Sequence, residues 1–570
     1  MVAILAIHSG HDASAAVFDD YRIVAAVQKE RLTRKKKDYG EASQCVDEVL
    51  AVAGLDRRDV GAVVLTRDMY PRAQLRNSLS TRLREAFKPP RFEYQTLNRA
   101  MRRAGTYDAT DVLDLAAVLR SYGLPETIEV SFVNHHYAHA LPSLFFTDWE
   151  DALLYTADRA GDNATSSHRI FRGERIDCSY GDDRLLLGPH PLNSLGRAYE
   201  MVTVALGFRS MHHEGKVTGL AAYGKPVLRD HYLSRFKVDE DGVIATDFRD
   251  ENEFHDHFMR PCAGHSREDC AASIQAFAEE IALISIERLL ARAKVRHVGL
   301  AGGFFANVKV NQRIAETCDV DEIFVVPPMG DEGLVIGAAL HHLLARDGLK
   351  HWLRQRYRLD DVYWGRGYGG EAGRRFMAFD PRIRPVPGDP AGTAAKLMAE
   401  GKAVAIFSAR MEFGPRALGA RSIMASPERR DINDSLNKRL DRSEFMPFAP
   451  VVTEENAPRL FDVSKVNSYA CRFMTITCDV KREWRERIPA VVHVDGTARP
   501  QIIRRAQNAL YYDVLEAFTA RTGLPTAINT SFNVHEEPII NTPEEAAKAL
   551  VDDRVDYLVT EEGVYGCARS

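Results

Sequence analysis

Two histidines four residues apart are the clearest candidates for metal chemistry in this sequence. His135 and His139 lie in the stretch NHHYAHA, and residues at this spacing share one helix face, where two imidazoles can hold one cation. Asp158 and Asp331 each lie in an Asp- and Gly-containing loop after an apolar run, so they can add carboxylate ligands. Such mixed ligands favour iron, manganese or zinc. The alternative is two polar residues on a solvated helix.

Two glycine-rich segments can bring backbone amides close to a phosphate. The stretch LAGGFFAN, with Gly302, Gly303 and Asn307, stands between a predicted strand and a predicted helix, whose positive dipole end attracts anions. A turn that serves only packing is an equally good interpretation. The stretch HEGKVTG has similar small residues and one lysine, and it can line the same pocket; its residues of interest are Gly215, Lys216 and Gly219.

Arginines are concentrated in the last third of the chain. The stretch FGPRALGAR contains Arg416 and Arg421, and three further cations follow it: Lys438, Arg439 and Arg442. Guanidinium groups bind phosphate or carboxylate oxygens in pairs, so this density suits an acyl phosphate or a nucleoside triphosphate. The stretch NTSFN adds amides and a hydroxyl after an apolar strand: Asn529, Ser531 and Asn533. A solvated basic face is the alternative interpretation.

One His- and Cys-containing stretch resembles a metal site only by composition. His255, His257, Cys262, His265 and Cys270 have spacings that fit no common zinc pattern. We expect a surface loop here.

A repeated strand pattern predicts the elements that position these side chains. Residues 2–30 and 151–178 each alternate apolar runs with turns in the order strand, loop, strand, turn, strand. Two copies of one unit indicate a duplicated domain. Apolar residues from Ile274 to Ile284 predict a helix that leads into a strand at Val298 to Leu300. The whole pattern is α/β.

A second α/β unit is predicted to follow a region rich in Gly and Pro between residues 345 and 392. We expect it to begin with a helix from Thr393 to Glu400, with Thr393 as the N-cap.

Length and charge set limits on the class of protein. A chain of 570 residues is too long for one hydrophobic core, which predicts two large domains. A net charge of -5 disfavours nucleic acid as a partner. The short apolar run at Val2 to Ile7 fits neither a signal peptide nor a membrane span, so we expect a cytoplasmic protein without a membrane partner. The 8 scattered cysteines are expected to be reduced thiols.

Eight motifs in order resemble the O-carbamoyltransferases of antibiotic and nodulation-factor biosynthesis. They are HSGHDASAA, the H-x-x-x-H, GKVTGLAAYGKP, LAGGFFAN, GDEG, MEFGPRALGARSI, FMPFAPVV and INTSFN, and they span nearly the whole chain. The resemblance implies a duplicated actin-like (ASKHA, threonylcarbamoyl-transferase-like) domain over residues 1–355. It also implies a YrdC-like α/β domain over residues 375–570, which forms an acyl adenylate.

The resemblance also assigns roles to residues. It implies that His135, His139, Asp158 and Asp331 bind a metal, usually Fe2+. For the N-terminal nucleotide site it implies Gly161, Asn163, Gly196, Gly215, Lys216, Gly219, Gly302, Gly303 and Asn307. For the C-terminal site, which binds carbamoyl phosphate and ATP, it implies Arg416, Arg421, Lys438, Arg442, Asn529, Ser531 and Asn533. Leu440 stands where the family often has lysine, and Lys438 or Arg439 is expected to substitute.

The expected activity is transfer of a carbamoyl group from carbamoyl phosphate, activated by ATP with Mg2+, to a hydroxyl of an antibiotic, with an aminoglycoside such as tobramycin as the acceptor. An alcohol needs activation near neutral pH, and His11 or Asp12 is the candidate to orient or deprotonate it. Two alternatives are a tRNA threonylcarbamoyl-type modification enzyme, which the acidic balance disfavours, and a non-enzymatic actin-like protein, which leaves the arginine-rich part unexplained.

Overall fold

The computed structural model describes residues 3–76, 94–441 and 446–568. Arg442, a predicted site residue, lies outside them. Two five-stranded sheets form the N-terminal part of the molecule, and an eight-stranded sheet forms the C-terminal part. The fold is α/β throughout, as the sequence predicts.

The first sheet has the order β3-β2-β1-β4-β7. Strand β1 pairs antiparallel with β2 and parallel with β4, and β4 pairs parallel with β7. The elements of this repeat are β1 Ala3–His8, β2 Ser14–Asp19, β3 Arg22–Gln28, α1 Lys29–Thr33, α2 Ser43–Ala53, β4 Val60–Thr66, β5 Met69–Pro71, β6 Tyr94–Thr96, α3 Leu97–Ala104, α4 Leu115–Ser121, β7 Glu129–Val133 and α5 His135–Phe145.

The second sheet repeats the plan of the first, with the order β10-β9-β8-β13-β14 and, as in the first, two antiparallel pairs followed by two parallel pairs. This confirms the predicted duplication and the actin-like fold. The elements are β8 Asp151–Gly161, β9 Ala164–Arg172, β10 Arg175–Tyr180, α6 Leu195–Ala205, α7 Glu214–Ala221, α8 Arg229–Leu233, β11 Phe236–Val238, β12 Ile244–Thr246, α9 Glu251–Met259, α10 Arg267–Ala293, β13 His297–Ala301, α11 Val308–Thr317, β14 Glu322–Val325, α12 Leu334–Asp347 and α13 Leu349–Arg354.

Equivalent helices of the two repeats, α5 and α12, cross at very short distance. Gly337 lies at the crossing, and a Cβ atom built there would stand 1.7 Å from the carbonyl oxygen of Ala138. Only glycine therefore permits the contact. Leu141, Leu144 and Leu340 are fully buried in the apolar cluster around this crossing.

The C-terminal sheet is mixed, with the order β15-β24-β23-β16-β17-β22-β18-β21. Its elements are α14 Ala372–Phe379, β15 Ile383–Val386, α15 Pro390–Ala399, β16 Val404–Phe407, β17 Arg421–Ala425, α16 Asp431–Arg439, β18 Ala449–Thr453, α17 Ala457–Leu460, α18 Ser468–Cys471, β19 Cys478–Asp479, α19 Arg482–Arg485, β20 Thr497–Ala498, β21 Gln501–Ile503, α20 Ala509–Thr522, β22 Ala527–Ser531, α21 Pro543–Val551, β23 Tyr557–Thr560 and β24 Gly563–Cys567.

Two local predictions were wrong. The stretch expected as a surface loop forms helix α9, a 3-10 turn at Arg260–Gly264 and the start of α10, because its Phe and Cys side chains are buried in the core. Helix α15 begins at Pro390, before Thr393, because the side chain of Asp389 caps it by accepting a hydrogen bond from the Gly392 amide. None of the described helices is long and apolar enough to cross a membrane.

Gly337→Ala is expected to lower the free energy of unfolding by about 1–3 kcal/mol, because the added methyl group forces α5 and α12 apart. Urea denaturation followed by circular dichroism measures the change. Gly264→Ala is the matched control: no atom lies within 4 Å of a Cβ built there, so its stability should stay within about 0.5 kcal/mol of wild type. Equal stability of the two variants would contradict the close crossing.

Candidate functional site

The predicted metal ligands come together at the junction of the two repeats. Helix α5, capped by the side chain of Asn134, presents His135 and His139 on one face. The Nε2 atom of His139 lies 3.3 Å from Asp158 Oδ2 and 3.5 Å from Asp331 Oδ1. The Nε2 atom of His135 lies 3.9 Å and 3.7 Å from the same two oxygens. The first repeat thus provides the imidazoles and the second provides the carboxylates.

This donor set fits a divalent cation. Both histidine Nε2 atoms are buried and have no hydrogen-bond partner, whereas buried polar atoms ordinarily have one. Burial disfavours the charged form of His135, but the carboxylates of Asp331 and Asp158 outweigh this effect and raise its pKa to about 9. The cluster therefore attracts positive charge, which a metal bound by two imidazoles and two carboxylates would supply.

Neighbouring groups fix the orientation of the cluster. The backbone amide of His135 donates a hydrogen bond to Asp162 Oδ2 at 2.8 Å. A Cβ atom at Gly161 would lie 2.1 Å from the ring of His135, so glycine is required beside it. The amide of Gly303 donates a hydrogen bond to Asp158 Oδ2 at 2.9 Å. Gly302 has φ 98°, and a Cβ atom added to it would lie 2.1 Å from the carbonyl oxygen of Ala157.

Two cavities open beside the cluster. The metal-side cavity is lined by residues that include His11, Asp12, Lys37, Asp158, Gly303, Asp331 and Glu332. The arginine cavity is lined by residues that include Gly215, Lys216, Arg416, Arg499, Asn529, Ser531, Asn533 and His535. They share a wall formed by Lys36, Ala306, Pro415, Ser531 and Asn533. The shared wall thus contains residues of both the N-terminal and the C-terminal part of the chain.

His11 and Asp12 form a pair in the metal-side cavity, with His11 Nδ1 2.8 Å from Asp12 Oδ2. Burial lowers the pKa of His11, but the hydrogen bond and the charge of Asp12 outweigh burial and raise it. Asp12 has φ 59°, a left-handed conformation. Glu332 also lines this cavity, and burial together with the charge of Asp12 raises its pKa to about 8. Groups that exchange protons thus face the space next to the metal ligands.

The arginine cavity gathers cationic and polar groups from several elements. Arg416 lies in the loop before β17, and Ser531 and Asn533 lie at the end of β22. Asn529 is buried and its amide donates to Gln501 Oε1 at 2.7 Å and to the Ala417 carbonyl at 3.0 Å. We interpret Asn529 as a support for the cavity wall, and the cations and hydroxyls as the groups that suit an anionic substrate.

Several predicted binding residues lie outside both cavities. Arg421 is fully buried, with its guanidinium carbon 3.7 Å from the ring centroid of Phe407 and one Nη donating to the Ser408 carbonyl. Burial lowers its pKa to about 10. Lys438 is exposed on α16, and Arg439 forms an ion pair with Asp556. None of these three side chains lines the arginine cavity.

Four predicted nucleotide-binding residues serve packing in the structure. The amide of Asn163 donates to the Leu185 carbonyl at 2.7 Å. Asn307 caps α11 and exchanges hydrogen bonds with Gln275. Gly196 and Gly219 allow close contacts: Cβ atoms built there would lie 3.2 Å from the Arg159 amide nitrogen and 2.3 Å from Met446 Cγ, respectively. None of the four lines either cavity.

The sequence-based prediction missed Lys36, Lys37, Arg499 and His535. The run RKKK at residues 34–37 was a detectable signal, since four consecutive cations interrupt an otherwise mixed surface pattern. Arg34 holds this run against the C-terminal part: its Nη atoms donate to the carbonyls of Pro538 at 2.7 Å and Ile539 at 2.8 Å.

Comparisons with known proteins match both the N-terminal and the C-terminal part of the chain. The profile described as Carbamoyltransferase N-terminus matches residues 3–340, and the profile described as Carbamoyltransferase C-terminus matches residues 395–566. Nodulation protein NolNO of Sinorhizobium fredii is 30% identical over 565 residues, which cover 96% of this chain and 78% of that protein. Nodulation protein NolO of Bradyrhizobium diazoefficiens is 32% identical over 454 residues, covering 75% and 77%.

Among solved structures, full-length HypF in its phosphate- and nucleotide-bound form aligns with 61% of this chain and 56% of that chain, at 12% identity and a TM-score of 0.36. The two family matches, at residues 3–340 and 395–566, cover the residues that line both cavities. This chain belongs to the carbamoyltransferase family and is a carbamoyltransferase enzyme.

Proposed function

We propose that the enzyme forms carbamoyl adenylate from carbamoyl phosphate and ATP in the arginine cavity. The carbamoyl group then passes to an acceptor hydroxyl in the metal-side cavity. The observation that carries this proposal is the wall shared by the two cavities, formed by Lys36, Ala306, Pro415, Ser531 and Asn533. Because the cavities adjoin, a labile mixed anhydride made in one has only a short distance to travel to the other.

The first reaction belongs to the arginine cavity because both of its substrates are polyanions. Water cleaves the carbon–oxygen anhydride bond of carbamoyl phosphate, which releases phosphate and leaves carbamate. A carbamate oxygen then attacks the α-phosphorus of ATP, and pyrophosphate leaves with the electron pair of the broken bond. Arg416, Arg499 and Lys216 line the cavity, so they are the cations that would bind these phosphates and stabilise the charge that develops.

The second reaction belongs to the metal-side cavity. A metal bound by His135, His139, Asp158 and Asp331 supplies Lewis-acid polarisation of a carbonyl oxygen. The pair of His11 and Asp12 faces the same space and can accept the proton of the attacking hydroxyl. Loss of adenosine monophosphate completes the transfer.

The proposed acceptor is an antibiotic hydroxyl, with tobramycin as the first compound to test. The full-length motif pattern is similar to that of tobramycin carbamoyltransferase (nebramycin 5′ synthase), which motivates the choice. The carboxylates of the metal-side cavity, among them Glu30 and Glu537, suit a polycationic aminoglycoside.

Metal binding is expected to depend on both histidines. His135→Ala or His139→Ala should weaken binding by more than about 100-fold, because loss of even an outer partner of a ligand costs about 10- to 100-fold. Competition with a chelator, followed by elemental analysis, measures this. His231→Ala removes an exposed imidazole from the same part and should keep wild-type binding. Full metal content in both ligand variants would exclude this site.

Substitutions in the two cavities should impair different half-reactions. Arg416→Ala or Ser531→Ala should lower carbamoyl phosphate-dependent pyrophosphate release about 30- to 150-fold, since each loses about 2–3 kcal/mol of interaction with a charged substrate. Asp331→Ala should retain pyrophosphate release while transfer to the acceptor is lost. Coupled assays of phosphate and pyrophosphate, run beside mass spectrometry of the acceptor, measure both steps.

Arg505→Ala is the matched control for this pair of assays, because Arg505 is exposed in the C-terminal part and pairs with Asp513. It should keep both reactions at the wild-type rate. Circular dichroism of every variant establishes that it is folded. Asp331→Ala could instead abolish pyrophosphate release while Arg416→Ala keeps it. That result would show that the roles assigned to the two cavities must be reversed.

The acceptor prediction is tested directly. Incubation of tobramycin with the enzyme, ATP, Mg2+, Fe2+ and carbamoyl phosphate should increase its mass by one carbamoyl group, and the increase should require all three substrates. The absence of this product, while pyrophosphate is still released, would reject tobramycin as the acceptor and leave carbamoyl adenylate formation intact.

A further inference from the structure

A third cavity lies on the opposite side of helix α5 from the metal ligands. It is formed where the edge strand β7 of the first sheet approaches β9 and β10 of the second. We call it the edge pocket. The residues that determine its chemistry are Arg67, Tyr137, Arg169, Cys178, Asp183 and His341. None of them lines the metal-side cavity or the arginine cavity.

One arginine of the edge pocket has no carboxylate of the described residues in ion-pair contact with it. Of its three arginines, Arg67 forms a two-point ion pair with Asp183, at 2.7 Å and 3.0 Å, and Arg184 pairs with Asp182 at 2.8 Å. Both carboxylates of the pocket are used in these pairs. The third arginine, Arg169, therefore has no counter-ion in the pocket.

The guanidinium group of Arg169 is buried, and a buried guanidinium group ordinarily forms an ion pair. It is only 3% exposed, donates one hydrogen bond to Ser167, and lies over the ring of Tyr137 at 4.8 Å. Among the residues that the structure describes, no carboxylate forms an ion pair with it. A buried guanidinium without a carboxylate is costly, and an anion in the pocket would remove that cost.

Two further buried atoms in this pocket also lack partners. The Nε atom of Arg67 and the Nδ1 atom of His341 have no hydrogen-bond partner, although both are buried. Phe132 and Ile176 add apolar surface beside them. Hydrogen-bond donors around a small apolar wall are the features of a site for a small organic anion.

The pocket is also linked to the metal helix. Asn134 caps α5 and its amide donates to Asp183 Oδ1 at 2.8 Å. Arg67 lies 3.8 Å from Asp162 Oδ2, the oxygen that accepts the amide hydrogen bond of His135. A bound molecule that contacts Arg67 would therefore be connected to the metal ligand His135 through Arg67 and Asp162.

We propose that the edge pocket is a second anion-binding site, separate from the substrate cavities, which takes a small molecule bearing a carboxylate or phosphate group. The oxyanion contacts Arg169, with the unpartnered Arg67 Nε nearby, and an apolar body lies against Phe132 and Ile176. The inference does not depend on the order of the two half-reactions.

Alkylation of Cys178 tests the proposal on the wild-type protein, because this half-buried thiol lines the pocket. Iodoacetamide labelling is followed by peptide mass spectrometry, with benzoate and orthophosphate as separate probes. At ten times the dissociation constant only about one molecule in eleven is unoccupied, so alkylation should slow about tenfold. Cys567, half-buried in the C-terminal part, is the internal control and should react at an unchanged rate.

Arg169→Gln should abolish the protection of Cys178, whereas Arg175→Gln, an exposed change on the same hairpin, should keep it. Protection by benzoate alone would identify an organic carboxylate as the ligand class, and protection by orthophosphate alone would identify a phosphate. Because orthophosphate can also bind the arginine cavity, its effect on Cys178 should persist in Arg416→Ala. Unchanged alkylation of Cys178 with both probes would overturn the proposal.

Discussion

The requirement that buried charges be balanced governs the centre of this molecule. Two largely buried imidazoles each have their Nε2 atom within 3.9 Å of the same two carboxylates, where little solvent is available to stabilise the charges separately. Such a cluster persists only if its backbone supports are rigid. Asp162 fixes the start of α5, Gly303 fixes Asp158, and the crossing at Gly337 fixes α5 against α12. The second repeat supplies all three of these supports, and helix α5, which two of them hold, belongs to the first.

The contact between the N-terminal and C-terminal parts depends on the segment after β3. Arg31 donates to the Gly414 carbonyl at 2.7 Å, and Arg34 donates to Pro538 and Ile539. The amide of Gly414 in turn donates to Gln28 Oε1 at 3.1 Å. These bonds place Lys36 and Pro415 together, so the wall between the cavities follows from hydrogen bonds to main-chain atoms.

The sequence alone predicts the parts of the structure that depend on local periodicity. The repeated strand pattern predicts both sheets, and the spacing of His135 and His139 places them on one helix face. Which arginine faces a cavity depends instead on tertiary packing. Arg416 and Arg421 lie in one motif, yet Arg416 lines the cavity and Arg421 is stacked on Phe407 in the core. Likewise, the contribution of Arg499 requires knowledge of how β21 lies beside β18.

The duplication places two equivalent loops at the same centre with unequal tasks. The loop after β1 carries His11 and Asp12, and its counterpart in the second repeat, formed by the end of β8 and the turn after it, carries Asp158 and Asp162. Both reach the junction of the two repeats. One segment holds a cation ligand while its counterpart holds the pair suited to proton transfer, which is the freedom that duplication of a unit gives to a site built between its two copies.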